Sequence, residues 1–141
     1  MIMPGIYVHD TVDTPYAEWI MCGAKTIETR TRDVLGKFVG KRVLVIRTGR
    51  GPNWGPKAEV IGSVYIRAKE FLDADQLNER RGETLIPSGS KYDCHGKGKW
   101  CYYLSDPMAI VPIPLEKLTV IKRNMSYATI SFMVGGNNHD F

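Results

Sequence analysis

The segment Thr14–Arg30, TPYAEWIMCGAKTIETR, carries the most informative pattern in this sequence. A threonine followed by Pro15 is typical of a helix start, with an N-cap residue and then proline at the first helical position. Apolar residues recur at helical spacing from Tyr16 to Ile20, and Gly23 fits a C-terminal cap. Residues 25–31 then alternate as in a β-strand. The segment therefore predicts a short helix over 15–22 that leads directly into a strand.

This strand carries three charges within six residues: Lys25, Glu28 and Arg30. Glu28 and Arg30 project from one strand face, close enough for an ion pair, and a bulge would turn Lys25 toward them. A lysine beside a carboxylate acts as a proton donor or, when desolvated, as a base, so Lys25 and Glu28 are candidate catalytic residues. Tyr16 and Trp19 of the preceding helix would form the wall of a cleft beside these charges, and a nucleobase could stack on their rings. The alternative is a salt bridge between Glu28 and Arg30 that only closes a barrel.

The rest of the chain predicts mostly strands. Strand patterns cover residues 43–46, 60–66, 100–104, 110–114 and 127–134, one weakly amphipathic helix covers 70–79, and 80–99 reads as a long loop. Short strands with few helices indicate a mainly β fold, a small mixed β-barrel of five to seven strands with the first helix packed at one open end. We expect a single domain over residues 1–141, with a frayed tail over about 135–141.

Basic residues are concentrated between Gly36 and Lys57. This stretch has six basic residues and no acidic one, in a chain of net charge +4. A field of one sign favours polyanions such as RNA. Its glycine-rich part combines Arg47, Thr48 and Arg50 with Trp54, so phosphates could meet the cations and an unpaired base the indole. The alternative is a solvated basic surface.

Several other classes of function are disfavoured. The chain has no apolar run of the roughly 20 residues that span a bilayer, and no secretory leader pattern, so we expect no membrane contact. Three cysteines indicate a reducing compartment and a cytoplasmic location. Cys94, His95 and Cys101 lack the paired spacing of zinc ligands. The glycines match no phosphate-binding loop, and we expect neither a metal nor a cofactor.

The motifs TPYAEWI and Gly23-x-Lys25-Thr-Ile-Glu28-x-Arg30 resemble the signature of the ASCH domain (activating signal cointegrator homology), a family of the PUA-like superfamily of small barrels. The similarity continues through 43–46 and 60–64 and thins beyond about residue 67. The resemblance implies binding of RNA or modified bases in the cleft beside the first helix.

Enzymatic activity is also implied by the resemblance. Some small bacterial members hydrolyse the acetyl amide of N4-acetylcytidine with the motif lysine, a threonine and a glutamate, and others are ribonucleases. Lys25 matches the lysine, but the threonine position is occupied by Glu28. Glu79 and Glu83 are both candidates for the acid.

Three hypotheses follow. The first is binding of RNA, another single-stranded nucleic acid or a modified nucleoside through a cleft built from five residues, Tyr16, Trp19, Lys25, Glu28 and Arg30. The second is a hydrolase on the same cleft, either an amidohydrolase for an acylated pyrimidine nucleoside or a ribonuclease. The third is a protein-interaction domain without a ligand. The oligomeric state stays open.

Overall fold

The structure is a computed structural model that describes residues 1–49 and 57–131 of the 141-residue chain. Within these ranges seven strands form one sheet with the order β2-β5-β4-β3-β1-β7-β6. The strands are β1 (Ile2–Asp10), β2 (Ile27–Arg30), β3 (Lys41–Gly49), β4 (Glu59–Leu72), β5 (Lys99–Pro114), β6 (Thr119–Arg123) and β7 (Tyr127–Ser131). β1 and β3 run parallel, and the other neighbouring strands run antiparallel. The predicted mainly β architecture is confirmed.

Three short helices accompany the sheet in the described ranges: α1 (Tyr16–Met21), α2 (Ala74–Glu79) and α3 (Arg81–Thr84). Single 3₁₀ turns cover Gly36–Phe38 and Leu115–Lys117. None of the helices in this part of the chain is long and apolar enough to cross a membrane.

The helix predicted over 70–79 begins later than expected. Asp73 is its N-cap: the Asp73 carboxylate accepts from the backbone N–H of Gln76 at 2.8 Å, and the Gln76 side chain accepts from the Asp73 N–H at 2.9 Å. This reciprocal capping box ends β4 at Leu72. The predicted long loop over 80–99 is interrupted near its start by the short helix α3, and β5 begins at its last residue.

Two strands were absent from the sequence prediction, and one was divided. β1 contains Pro4 and Gly5, which interrupt the strand pattern, and β6 is mostly exposed. The separate strands predicted over 100–104 and 110–114 are one strand, β5, whose pairing with β4 shifts register at three bulges. In the described residues β2 pairs only with Trp100–Tyr103, so the proline-bearing half of β5 has an open edge that tolerates missing N–H donors.

The sheet curls into a half-barrel. β1 and β2 are separated by three strands in the sheet order, yet the Arg30 guanidinium of β2 donates to the Tyr7 carbonyl of β1 at 2.6 Å. Only a strongly curved sheet brings these two strands together. The Arg30 side chain therefore bridges a seam between β1 and β2, and this seam positions the candidate site.

α1 packs into the concave side of the curled sheet. Tyr16, Ala17 and Ile20 are buried there in the largest apolar cluster, together with residues of β1, β3, β4 and β5. The β3 residues alternate between two clusters: Val43 and Val45 face α1, whereas Leu44 and Ile46 pack on the opposite side. Residues 43–46, a continuous apolar run in the sequence, therefore lie in a strand that is buried on both faces.

Candidate functional site

A cavity of about 270 Å³ lies at the seam between β1 and β2. Its walls come from β1, α1, β2, the end of β3 and the segment that follows α3. The residues that line it are Tyr7, Val8, His9, Tyr16, Lys25, Glu28, Thr29, Arg30, Thr48, Ile86, Tyr92 and Met125. Aromatic rings and polar side chains therefore share one concave space.

Lys25 lies in the wall of this cavity and is only 2% exposed. Its backbone N–H donates to the Trp19 carbonyl at 3.0 Å, which continues the turn after α1. Its ammonium donates to the Thr84 carbonyl and lies 3.8 Å from a Glu28 carboxylate oxygen. Burial lowers the pKa of Lys25, and the nearby Glu28 carboxylate opposes this shift only in part. The neutral amine is thus easier to form than on an exposed lysine.

Glu28 is the only carboxylate that lines the cavity among the described residues, and cations surround it. The Arg30 guanidinium lies 3.3 Å from one of its oxygens, and the Thr29 N–H donates to the other at 3.2 Å. Lys99, buried on the adjacent β5, also has a lowered pKa because of desolvation, partly offset by Glu28. A buried carboxylate is held in position by these partners.

The aromatic wall centres on Tyr16. The Lys25 ammonium lies 5.0 Å from its ring centroid, and Tyr92 meets it edge-on with centroids 6.0 Å apart. Trp19 packs edge-on against Tyr16 at 5.7 Å but does not line the cavity. Burial raises the pKa of Tyr16, so its hydroxyl stays a hydrogen-bond donor near neutral pH. Tyr16 and Tyr92 can present ring surface to a ligand, and Trp19 supports Tyr16.

The start of α1 is held by Asp10 rather than by the predicted cap. The Asp10 carboxylate, 1% exposed at the end of β1, accepts from the Ala17 N–H at 2.6 Å. Thr14 makes no side-chain cap; its hydroxyl bonds instead to the Thr11 hydroxyl at 2.8 Å. The helix that carries Tyr16 is thereby attached to the strand that carries Tyr7 and His9.

The basic stretch contributes less to the cavity than expected. Thr48 lines it, with its hydroxyl 3.4 Å from a ring nitrogen of His9. Arg47 does not line it, and its guanidinium pairs with Glu59 at 2.6 Å. Arg50 and Trp54 lie outside the described residues, as does the tail over 135–141. Ligand binding by Trp19 and by the residues of the basic stretch stays a prediction; these are Arg47, Thr48, Arg50 and Trp54.

Neither candidate for a second catalytic acid faces the cavity. The Glu83 carboxylate pairs with Arg80 at 3.0 Å, and Glu79 is exposed at the end of α2. α3 contributes through its backbone, because the Glu83 carbonyl accepts from Thr26 and the Thr84 carbonyl accepts from Lys25. Among residues 1–49 and 57–131, no three His, Cys, Asp or Glu side chains could together hold a metal ion.

Sequence reasoning missed the cavity residues outside the motif. Tyr7 and His9 lie on the unpredicted β1, and Ile86 and Tyr92 lie in the segment predicted as a long loop. The length of that loop was the available signal, because long loops in compact domains often carry function. Nothing in the local sequence indicates that Met125, in the turn between β6 and β7, reaches the same cavity.

The described residues thus form a seven-stranded half-barrel with a short helix in its concave side and a charged cavity at its seam. Crystal structures of the ASCH protein from Zymomonas mobilis are similar to it. The protein itself superposes with a TM-score of 0.59 at 25% identity, over 80% of this chain and 75% of that one. Its serine-to-alanine variant superposes with a TM-score of 0.58 at 23% identity, over 80% of this chain and 75% of that one. Its tyrosine-to-phenylalanine variant gives a TM-score of 0.56 at 22% identity, over 80% of this chain and 77% of that one.

This chain therefore has the ASCH-domain fold, and the resemblance in its sequence is confirmed at that level. A scan against protein-family models gives no match, and neither does a search of curated proteins.

Proposed function

We propose that this protein binds a single nucleobase or nucleoside, either free or extruded from an RNA strand, in the cavity at the seam. The observation that carries the proposal is the composition of that cavity: tyrosine rings beside Lys25, Glu28 and Arg30 within about 270 Å³. Proteins read unpaired bases by stacking them on aromatic rings and by hydrogen bonds to their edges. The volume lies just below the range of about 300–1,000 Å³ of drug-sized pockets, so one base or nucleoside fits better than a longer segment.

Binding to RNA through this cavity requires one base to leave its neighbours. Such extrusion is least costly in single strands, where the base is unpaired. The cavity offers the extruded base both hydrogen-bond donors and acceptors. Glu28 accepts, Lys25 and Arg30 donate, and the hydroxyls of Thr29 and Thr48 can do either. This mixture suits a base edge, which carries donors and acceptors side by side.

A second function, hydrolysis on the same cavity, is favoured by the state of Lys25. Its buried amine has a lowered pKa, which suits a general base better than an exposed lysine. In an acylated nucleoside, Lys25 would take a proton from a water that adds to the acyl carbonyl. Lys25 would return this proton to the leaving nitrogen as the C–N bond breaks, which releases a carboxylic acid and the amine of the base. The hydroxyl that the resembling hydrolases use three residues after the lysine is replaced here by Glu28, which favours binding as the first proposal.

The test is a panel of ligands with wild type and two variants, Lys25→Met and Lys25→Ala. The panel contains the common ribonucleosides, N4-acetylcytidine and short RNAs, with calorimetry for binding and mass spectrometry for products. If the protein only binds, Lys25→Met should weaken affinity by about 1.5–3 kcal/mol, the range for a hydrogen bond to a charged group. If it hydrolyses, the same change should abolish product formation and spare much of the affinity.

Methionine retains the length and most of the packing of the lysine, so a loss with Lys25→Met reports the amine rather than a cavity. Lys117→Met, at an exposed position away from the seam, is the matched control. A Lys25→Met protein that binds and turns over every ligand like wild type would contradict both proposals and leave Lys25 as a structural residue.

A further inference from the structure

Two aromatic side chains lie on the same face of the sheet as the cavity residue Arg30. Trp100 on β5 is directly opposite Arg30 on β2 and directly opposite Phe71 on β4. Directly opposed residues in antiparallel strands project from the same face. Arg30, Trp100 and Phe71 therefore form a row across three strands, and its first member lines the cavity.

The rings of this row are arranged as an open platform. Phe71 and Trp100 contact each other with centroids 5.6 Å apart and planes at 67°. Phe71 is 52% exposed although it is a large apolar side chain, whereas Trp100 packs in part against the core. The Phe71 ring lies against Gly98, where even a Cβ would come within 2.4 Å of it. The missing side chain at Gly98 thus lets the ring pack against the backbone near the end of β4.

Cations border the platform. The Lys69 ammonium lies 5.2 Å from the Trp100 centroid and pairs with Asp33. Lys97, next to Gly98, is exposed. Aromatic rings interleaved with cations form the usual surface for single-stranded nucleic acid, because every base has a face that can stack and every nucleotide carries a phosphate.

We infer that the Phe71–Trp100 platform is a second stacking site, which takes the base next to the one held in the cavity. This inference rests on the proposed function and adds a binding site to it. The platform continues directly from the cavity through Arg30, so a strand whose base enters the cavity can place its neighbour on the rings. Lys97, exposed next to Gly98, can meet a backbone phosphate of such a strand.

The experiment compares wild type, Phe71→Ala and Phe71→Tyr against the four free ribonucleosides and the four homopolymeric hexaribonucleotides. Wild type should bind at least one hexamer tenfold or more tightly than its nucleoside. Phe71→Ala should weaken hexamer binding by about 5- to 100-fold, which is the contribution of one base–aromatic stacking contact to affinity. The same variant should leave nucleoside affinity unchanged. Phe71→Tyr, which keeps a ring, should bind like wild type. Val111→Ala, at an 85% exposed position in the opposite half of β5, is the control.

The outcomes separate this inference from the proposal beneath it. If wild type binds nucleosides but gains nothing from a hexamer, or if Phe71→Ala binds hexamers like wild type, the inference is overturned and the cavity proposal stands. The platform would then be a surface for protein contact. If wild type binds neither nucleosides nor hexamers, both fall.

Discussion

Asp10 shows how one side chain connects the helix to the sheet and makes stability depend on pH. Burial raises the pKa of its carboxyl to about 6, although the N–H groups of Ala17 and Glu18 and the charge of Arg47 act in the opposite direction. An aspartate in the unfolded chain titrates near 3.8. Between about pH 4 and pH 6 the folded protein therefore retains a proton that the unfolded chain has lost, and stability falls as the pH rises through this window.

We expect Asp10→Asn to remove this pH dependence. The asparagine oxygen can still accept from the Ala17 N–H, but no charge has to be buried. The free energy of unfolding of wild type should drop by on the order of 3 kcal/mol relative to the variant between pH 4 and pH 6.5. Denaturant unfolding of both proteins across this range measures the difference.

A second carboxylate gives an internal comparison. The backbone N–H groups of Gly89 and Cys94, and then Arg81, hold the pKa of Asp93 at about 2, so its contribution is lost only as the pH falls below 4. The two effects have opposite signs and separate windows. Parallel stability curves for wild type and Asp10→Asn between pH 4 and 6 would contradict the role given to Asp10.

α1 shows how an element of six residues can be held against the sheet. So short a helix is unstable alone, and it persists because its apolar face is packed and its first turn is capped by Asp10. Its contact with β4 depends on Gly62, where an added Cβ would lie 2.3 Å from the Met21 sulfur and 2.4 Å from the Met108 carbonyl. No side chain fits between the helix and the bulged pairing of β4 with β5.

Gly62→Ala should therefore displace α1 and lower stability by about 1–3 kcal/mol, the usual cost of overpacking. Because α1 carries Tyr16 and is followed by Lys25, ligand affinity should fall as well. Gly82→Ala, in α3 where an added Cβ meets nothing within 4 Å, is the matched control and should be neutral or slightly stabilising. Thermal melts and binding measurements on both variants check this; equal melting temperatures for the two would show that α1 does not need the glycine.

The molecule as a whole carries a net charge of +4, but much of the basic stretch is already engaged. Arg47 pairs with Glu59, and Lys57 pairs with Glu116. Lys91 is different: it is exposed, and its ammonium lies 5.5 Å from the ring centroid of the cavity residue Tyr92. Phosphates of a bound strand would therefore meet cations at the cavity rim more readily than the paired ones of 41–57.

The proposed RNA binding should accordingly weaken with salt. Lys91→Gln should reduce the slope of log affinity against log salt by about 0.7, the value for one phosphate contact on a single strand. Lys57→Gln, beside Glu116, should leave the slope unchanged. Titrations of a hexaribonucleotide between low and moderate salt measure both. An identical slope for wild type and Lys91→Gln would mean that no phosphate contacts this lysine.

The local sequence determined α1, the β2 motif, the doubly buried β3 and the mainly β class, because hydrophobic periodicity and turn residues act over a few neighbouring positions. It also predicted correctly that Glu28 and Arg30 pair, since a strand alternates its side chains between two faces. Lys25 precedes β2 and reaches Glu28 from the turn after α1. These inferences needed no contact between distant parts of the chain.

Only the tertiary structure decided the rest of the cavity. Asp10 replaces Thr14 as the cap of α1 from a neighbouring strand. Tyr7 lines the same cavity as Lys25 because the sheet curls until β1 faces β2, and Tyr92 joins them from the segment after α3. Arg47, predicted to bind a ligand, meets Glu59 across β3 and β4. Curvature and strand pairing join residues that are far apart in the sequence, and local periodicity carries no information about which of them will meet.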